Sequence, residues 1–259
     1  MENTEKKGRL SGKVAIVTGA GTKRGIGRAT AFTFAKEGAK VVVQDINLQG
    51  AENVAAEIRS LGCDAIALGG NVAVHADMEA MAKTTVEKFK CIDILAHIAG
   101  ITQSISTLDM ASEDWERIIS VNLTGTFNAV KAVLPFMVEQ RYGRIVAVSS
   151  VSAKRGGGIF GGSHYSAAKA GVLGFIKNVA REVARYGVYA NAVAPGLIDT
   201  DITGGMMTDE RREELKKDIP LGRLGTPQDV ANAILFLASD ESSYVTGEVM
   251  DVNGGSHID

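Results

Sequence analysis

The 259-residue sequence predicts an α/β fold, a doubly wound parallel sheet of about seven strands with helices on both faces. Three observations carry this. Short β-branched runs alternate with amphipathic stretches along the whole length, which is the rhythm of βαβ units. The runs are apolar continuously rather than at every second residue, as strands covered on both faces must be. Glycine is abundant, 30 residues against 4 prolines, without any low-complexity tract, and this points to tight turns and close backbone approaches.

Strands are expected at residues 14–17, 41–43, 65–68, 92–95, 145–148, 188–193 and 248–252. The stretch at 49–61 sets Ala51, Val54, Ala55, Ile58 and Leu61 at three- and four-residue steps, the stripe of a helix that buries one face. The longest helical stretches are 112–139 and 164–186. With no repeat and no linker, residues 11–259 read as one domain behind a flexible tail at 1–10. Composition excludes several function classes. No apolar run approaches the 18 or so residues of a membrane span, and the polar start from Met1 to Arg9 argues against secretion. A net charge of −2 without a basic block offers nucleic acid little to hold. Two cysteines, Cys63 and Cys91, are too few for a disulfide framework or a zinc cluster, so a reducing cytoplasm is expected. His75, His164 and His257 have no partner at metal-ligand spacing, and no metal is expected.

Directly after the first strand comes Thr18-Gly19-Ala20-Gly21-Thr22-Lys23-Arg24-Gly25-Ile26-Gly27, opening a helix. Glycines there make the turn, let backbone N–H groups approach a pyrophosphate and allow tight helix packing. Asp45 ends the second strand, 18 residues beyond Gly27. A carboxylate at that point accepts the ribose hydroxyls of NAD and repels the 2′-phosphate of NADP. Lys23 and Arg24 pull the other way, but a carboxylate at the ribose should outweigh mobile loop cations, so NAD is favoured over NADP. Further along, Tyr165 and Lys169 stand at i and i+4 on one helix face, after a strand ending in Ser149-Ser150 and a run rich in glycine. A phenol titrating near 10 is a poor acid/base at neutral pH, and a neighbouring cation lowers it.

These residues, together with Asn71, Ala99-Gly100, Asn122 and Pro195-Gly196-Leu197-Ile198-Asp199-Thr200, resemble the short-chain dehydrogenases/reductases over nearly all of the chain. The resemblance implies a Rossmann-type sheet and hydride transfer between a secondary alcohol and a ketone. It implies Tyr165 as general acid/base, Lys169 as the group that depresses its pKa and binds the nicotinamide ribose, and Ser150 as donor to the substrate oxygen. Asn122 would hold, through its carbonyl, a water that links Lys169 to solvent. Cofactor contacts are implied at Gly19, Arg24, Gly25, Ile26, Gly27, Asp45, Asn71, Val72, Ala99, Gly100, Pro195, Gly196, Ile198 and Thr200, besides Tyr165 and Lys169.

Three departures stand out. The glycine turn is two residues longer than usual, His97-Ile98 replaces the usual paired asparagines, and the Ser150 to Tyr165 interval is also two residues longer. By separation alone Ser152 competes with Ser150, but Ser150 closes the strand and is preferred. His97 reads as a packing residue, and Trp115 as helix packing or interface.

Within the family the sequence is most like the 3-oxoacyl thioester reductases, through residues 141–146, 219–225 and 238–247. Arg141 matches one of two carrier-docking arginines, but Tyr186 stands at the other, with Arg185 adjacent. With Asp45, this favours a 3-hydroxyacyl-CoA or related small-molecule dehydrogenase over an NADPH-dependent 3-oxoacyl-carrier-protein reductase. A cofactor-binding partner subunit without catalysis is the remaining alternative. At the mouth of the site, the loop 155–162 and the segment 203–217 are expected to frame an elongated anionic substrate. Met206-Met207 would form a lid, with Arg211, Arg212, Lys216 and Lys217 as a basic rim. Both long helices carry apolar residues on more than one face, which implies a four-helix interface and a homotetramer, or a heteromer with a related subunit.

Overall fold

A computed structural model of the chain describes residues 8–157, 160–203 and 208–259. All seven expected strands form: β1 (Val14–Thr18), β2 (Lys40–Asp45), β3 (Ala65–Gly69), β4 (Ile94–His97), β5 (Gly143–Val148), β6 (Val188–Pro195) and β7 (Val249–Val252). They pair in parallel in the order β3-β2-β1-β4-β5-β6-β7. The chain thus starts in the middle of the sheet, winds out to β3, and crosses back to β4 beside β1. The crevice at that reversal, outside the C-terminal ends of β1 and β4, is where open α/β sheets bind ligands.

Alternate residues of each strand enter opposite cores, which explains the continuous apolar runs. Ala15 and Val17 face the layer of α1 (Ile26–Lys36), α2 (Leu48–Ser60) and α9 (Pro227–Ala238). Ile16 and Val42 face the layer of α3 (His75–Phe89), α5 (Gly125–Gln140) and α7 (Ser163–Val183). The remaining helices are α4 (Ser112–Ile119), α6 (Ser152–Arg155) and α8 (Asp209–Lys216).

Three sequence expectations are adjusted. Residues 8–10 do not extend the tail: Leu10 is 1% exposed and its N–H donates to Glu37 O at 2.9 Å. The helix expected over 112–139 is interrupted by a π-helical turn, Ser120–Thr124, that separates α4 from α5. The helix expected to reach 186 ends as α7 at Val183 and closes in a short 3₁₀ turn, Ala184–Tyr186.

Candidate active site

A cavity of about 680 Å³ opens over the C-terminal ends of β1, β4 and β5. The glycine turn forms its floor on one side. Gly19 has φ +66°, and a Cβ there would stand 2.6 Å from Ala99 Cα, so only glycine lets the first strand turn against the fourth. Gly25 begins α1 with no side-chain cap and no acidic residue in the first turn, leaving the helix N-terminus free for an anion. Ile26 also lines the cavity. Gly27 does not, which corrects its expected role as a cofactor contact. A Cβ on Gly27 would meet Gly19 O at 2.2 Å, so this glycine packs helix on turn.

Asp45 closes β2 and is 9% exposed. Its Oδ2 accepts from Gly21 N at 2.8 Å and its Oδ1 from Asn47 N at 2.9 Å, which fixes the carboxylate at the cavity wall. Asn71 and Val72 lie beyond β3, also on that wall, and Asn71 Oδ1 accepts from Ala73 N at 3.0 Å. The cradle of glycine turn, bare helix terminus and ribose-height carboxylate fits a dinucleotide. Arg24, however, is turned away from Asp45. Its guanidinium pairs with Asp199 at 2.8 Å and lies 3.8 Å from Asp201. It therefore clasps the glycine turn to the segment after β6.

The strand ends opposite carry Ala99 and Gly100 after β4, and Pro195 and Gly196 at β6, with Ile198 and Thr200 beyond; all six line the cavity. A Cβ on Gly100 would lie 2.6 Å from Asn122 Oδ1. The missing family asparagines are replaced by a different device. Thr18 Oγ1 accepts from Ile98 N at 3.1 Å and Ala99 N at 3.3 Å, and bonds His97 Nδ1 at 3.0 Å. His97 is the packing residue expected, 2% exposed, and burial lowers its pKa from 6.5 to about 3, with the Lys169 charge adding to the shift.

Ser150, Tyr165, Lys169 and Asn122 converge at the centre of the cavity. Ser150 follows β5 and hydrogen-bonds the Tyr165 phenol, whereas Ser152 opens α6 and donates its N–H to Ser150 Oγ at 3.1 Å. That geometry favours Ser150 over Ser152. Asn122 sits in the π turn, where the register change frees backbone groups from their usual partners. Its side chain donates to Ile101 O at 2.9 Å and accepts from Ile101 N at 3.2 Å, while its carbonyl accepts from Thr126 Oγ1 at 2.7 Å. The asparagine thus pins the loop after β4 as well as shaping the helix.

One expectation differs. The Tyr165 phenol is raised by burial rather than lowered by Lys169. The Lys169 ammonium lies 5.8 Å from the ring centroid and donates to Val148 O at 2.8 Å. Burial raises the phenol above its ordinary value, with the Ser150 hydrogen bond partly opposing, and burial lowers Lys169 to about 8. Burial disfavours the charged form of both groups, and at about 8 Lys169 still carries its charge at pH 7.

The basic rim also differs. Arg211 pairs with Glu214, Lys216 with Glu213 and Arg212 with Asp199 at 2.6 Å, and neither these nor Lys217 line the cavity. The Met206-Met207 lid, and Gly158 and Ile159 of the mouth loop, lie outside the described residues. Sequence reasoning missed Arg117 as a cavity residue, whereas Arg155 opens the loop expected at the mouth and does line the cavity. Arg117 approaches Asp114 at 3.4 Å, while the Arg155 guanidinium donates to the neutral Ser256 O at 3.1 Å. Among the described residues no His, Cys, Asp and Glu cluster could hold a metal, and no helix is long and apolar enough to cross a membrane.

A dinucleotide cradle joined to a serine, a tyrosine and a lysine on one doubly wound sheet defines a nicotinamide-dependent oxidoreductase of CH–OH groups. A family model described as enoyl-(acyl carrier protein) reductase matches residues 19–257. A short-chain type dehydrogenase/reductase of Sinorhizobium fredii is 50% identical over 96% of this chain and 99% of its own. The 3-oxoacyl-[acyl-carrier-protein] reductases of Synechocystis and Thermotoga maritima are 46% and 43% identical, each over 95% of this chain and covering 97% and 98% of their own. The crystal structure of gox2181 superposes with a TM-score of 0.91 at 34% identity, covering 96% of both chains. The chain belongs to the short-chain dehydrogenase/reductase family.

Proposed function

We propose that this enzyme is an NAD-dependent dehydrogenase interconverting a secondary alcohol and a ketone, acting on a 3-hydroxyacyl-CoA or a comparable hydroxy/oxo compound. The observation that carries the cofactor choice is Asp45. Its carboxylate is buried at the cavity wall and oriented by two backbone N–H groups. A 2′-phosphate placed there would meet a fixed negative charge, and the nearest loop guanidinium, Arg24, is committed to Asp199. Bound nicotinamide would accept or return the hydride at the carbinol carbon. The protein's part is to hold the substrate oxygen with the Ser150 hydroxyl and to exchange its proton with Tyr165 Oη. Burial holds the phenol in its neutral form, which is the form that donates to a ketone oxygen. Lys169 supplies positive charge behind it. Arg155, at the cavity wall and donating to the neutral Ser256 O, suits the carboxylate or phosphate of an elongated substrate.

A second reading, an NADPH-dependent 3-oxoacyl-carrier-protein reductase, is favoured by the likeness to the 3-oxoacyl-[acyl-carrier-protein] reductases of Synechocystis and Thermotoga. Initial rates with NAD and NADP, on a 3-hydroxyacyl-CoA and on its carrier-protein form, separate the two. A preference of at least about tenfold for NAD is expected, the scale of one charge clash. Equal efficiency with NADP sinks the first reading.

The outer faces of α5 and α7 support self-association. Phe127 is 42% exposed, stacks edge-on with Phe175 at 6.0 Å, and borders a shallow groove with Leu134 and Val179. A homotetramer built on these helices is expected; a stable monomer by light scattering at micromolar concentration contradicts it.

A further inference from the structure

We propose that His164 is a positioning residue for Tyr165, a neutral imidazole that caps the first turn of α7 and latches it to the loop after β4 through Gln103. The proposal rests on the reading of Tyr165 as the acid/base. α7 begins at Gly162 without a side-chain cap, so the N–H groups of its first turn need partners from elsewhere. The N–H of Tyr165 finds one in His164 Nδ1, at 2.8 Å. His164 Nε2 lies 3.2 Å from Gln103 Oε1, and the ring is wholly buried.

The protonation of this chain follows from its ends. Asp114 accepts from Gln103 Nε2 at 2.8 Å, and Arg117 donates to Gln103 Oε1 at 2.8 Å. A carboxylate only accepts and a guanidinium only donates, so the Gln103 amide has one orientation. Its oxygen then faces His164 Nε2, which must carry the ring proton and leaves Nδ1 bare to receive the Tyr165 N–H. The inner bond therefore depends on side chains of α4.

The surrounding contacts close the same seam. Gly162 N donates to Gln103 O at 3.0 Å, and Thr107 Oγ1 and Ser163 Oγ lie 2.9 Å apart. Gly161 leaves room for the phenol: a Cβ there would stand 2.7 Å from Tyr165 Cδ1. The seam fixes the start of the helix whose third residue is Tyr165, and it does not include the turn and carboxylate of the dinucleotide cradle.

The test is a variant set read by kcat, by NAD affinity in titrations and by melting temperature. His164→Leu removes both bonds and is expected to lower kcat by about tenfold, one 1.4 kcal/mol step, with the Kd for NAD unchanged within about twofold. His164→Asn keeps an acceptor at the place of Nδ1 and should recover kcat to within about threefold of the parent, a conservative rescue that packing alone does not give. In a Tyr165→Phe background, His164→Leu should cost nothing further, because a residue acting through Tyr165 is silent once the phenol is gone. A leucine variant with parental kcat, an asparagine variant no better than leucine, or full additivity with Tyr165→Phe each overturns the proposal. If Tyr165→Phe itself retains activity, the acid/base reading fails first, and that result is visible in the single variant. Should the leucine variant not fold, Gln103→Leu cuts the latch from the opposite wall and is expected to lower kcat about threefold, again with NAD affinity intact; parental kcat there overturns the proposal.

Discussion

The two ends of the cavity hold their functional groups by different means. At the dinucleotide end, Asp45 is oriented by the N–H groups of Gly21 and Asn47, and the glycine turn is shaped by contacts between backbones. At the substrate end, the Tyr165 helix is tied down through His164, Gln103, Asp114 and Arg117, and Asn122 pins Ile101 from a π turn. The first end is built mainly from backbone, so its geometry tolerates changes in the side chains around it. The second is built from side chains brought together from three segments, and removing one unsettles the others. Under the proposed function the same contrast would separate binding from chemistry, the cofactor end setting which nucleotide is held and the substrate end how fast a proton moves.

If this division is right, variants at the two ends have different signatures. The largest effect belongs at the substrate end. Tyr165→Phe should reduce kcat by roughly 10² or more with NAD affinity nearly unchanged, since positioned proton transfer contributes about that much. A matching loss of NAD affinity would erase the distinction between the ends.

Next is the seam between β1 and β4, where His97 lies buried. Its folded pKa of about 3 lies below the ordinary 6.5, so between those values the unfolded chain binds a proton that the folded chain refuses. Stability therefore falls as pH drops below 6.5, by up to about 1.4 kcal/mol per pH unit. Urea unfolding at pH 7 and pH 5 should show the parent losing roughly 2 kcal/mol more than His97→Asn. Equal losses would mean that the ring is protonated without penalty.

At the cofactor end, Asp45→Ala should narrow the NAD over NADP preference by about tenfold while leaving kcat with saturating NAD close to the parent value. A large fall in kcat there would show that the carboxylate also supports the chemistry. The smallest effect is expected at Arg155, which is exposed and screened. Arg155→Ala should lower kcat/KM for an anionic substrate about fivefold and leave an uncharged analogue unaffected. Equal effects on both substrates would assign Arg155 to the wall of the cavity rather than to recognition of charge.

Much of the dinucleotide end was legible in the chain because its parts are local. The turn from Gly19 to Gly27 and Asp45 at the end of the next strand fall within one βαβ unit, and their spacing is their geometry. The reading erred there only where a glycine serves packing, at Gly27, and where a side chain finds a distant partner, as Arg24 does at Asp199, 175 residues away. The substrate end was legible in its residues and not in their states. Tyr165 and Lys169 are one turn apart in any helix, but the direction of the lysine toward Val148 O and the burial that raises the phenol depend on β5.

The sequence by itself determined the parallel sheet, because continuous β-branched runs and amphipathic stretches have only one way to bury both faces of each strand. It also determined the convergence of Ser150, Tyr165 and Lys169, since Ser150 follows a strand of that sheet and the other two lie on α7, the long helix that leads to the next strand. Only the tertiary structure decided the π turn at Asn122, the pairing of Arg212 and Arg24 with Asp199, and the tautomer of His164. Periodicity records which side of an element is buried. Hydrogen-bond direction and charge pairing depend on which remote atoms lie within about 3 Å, and that distance exists only after the chain has folded.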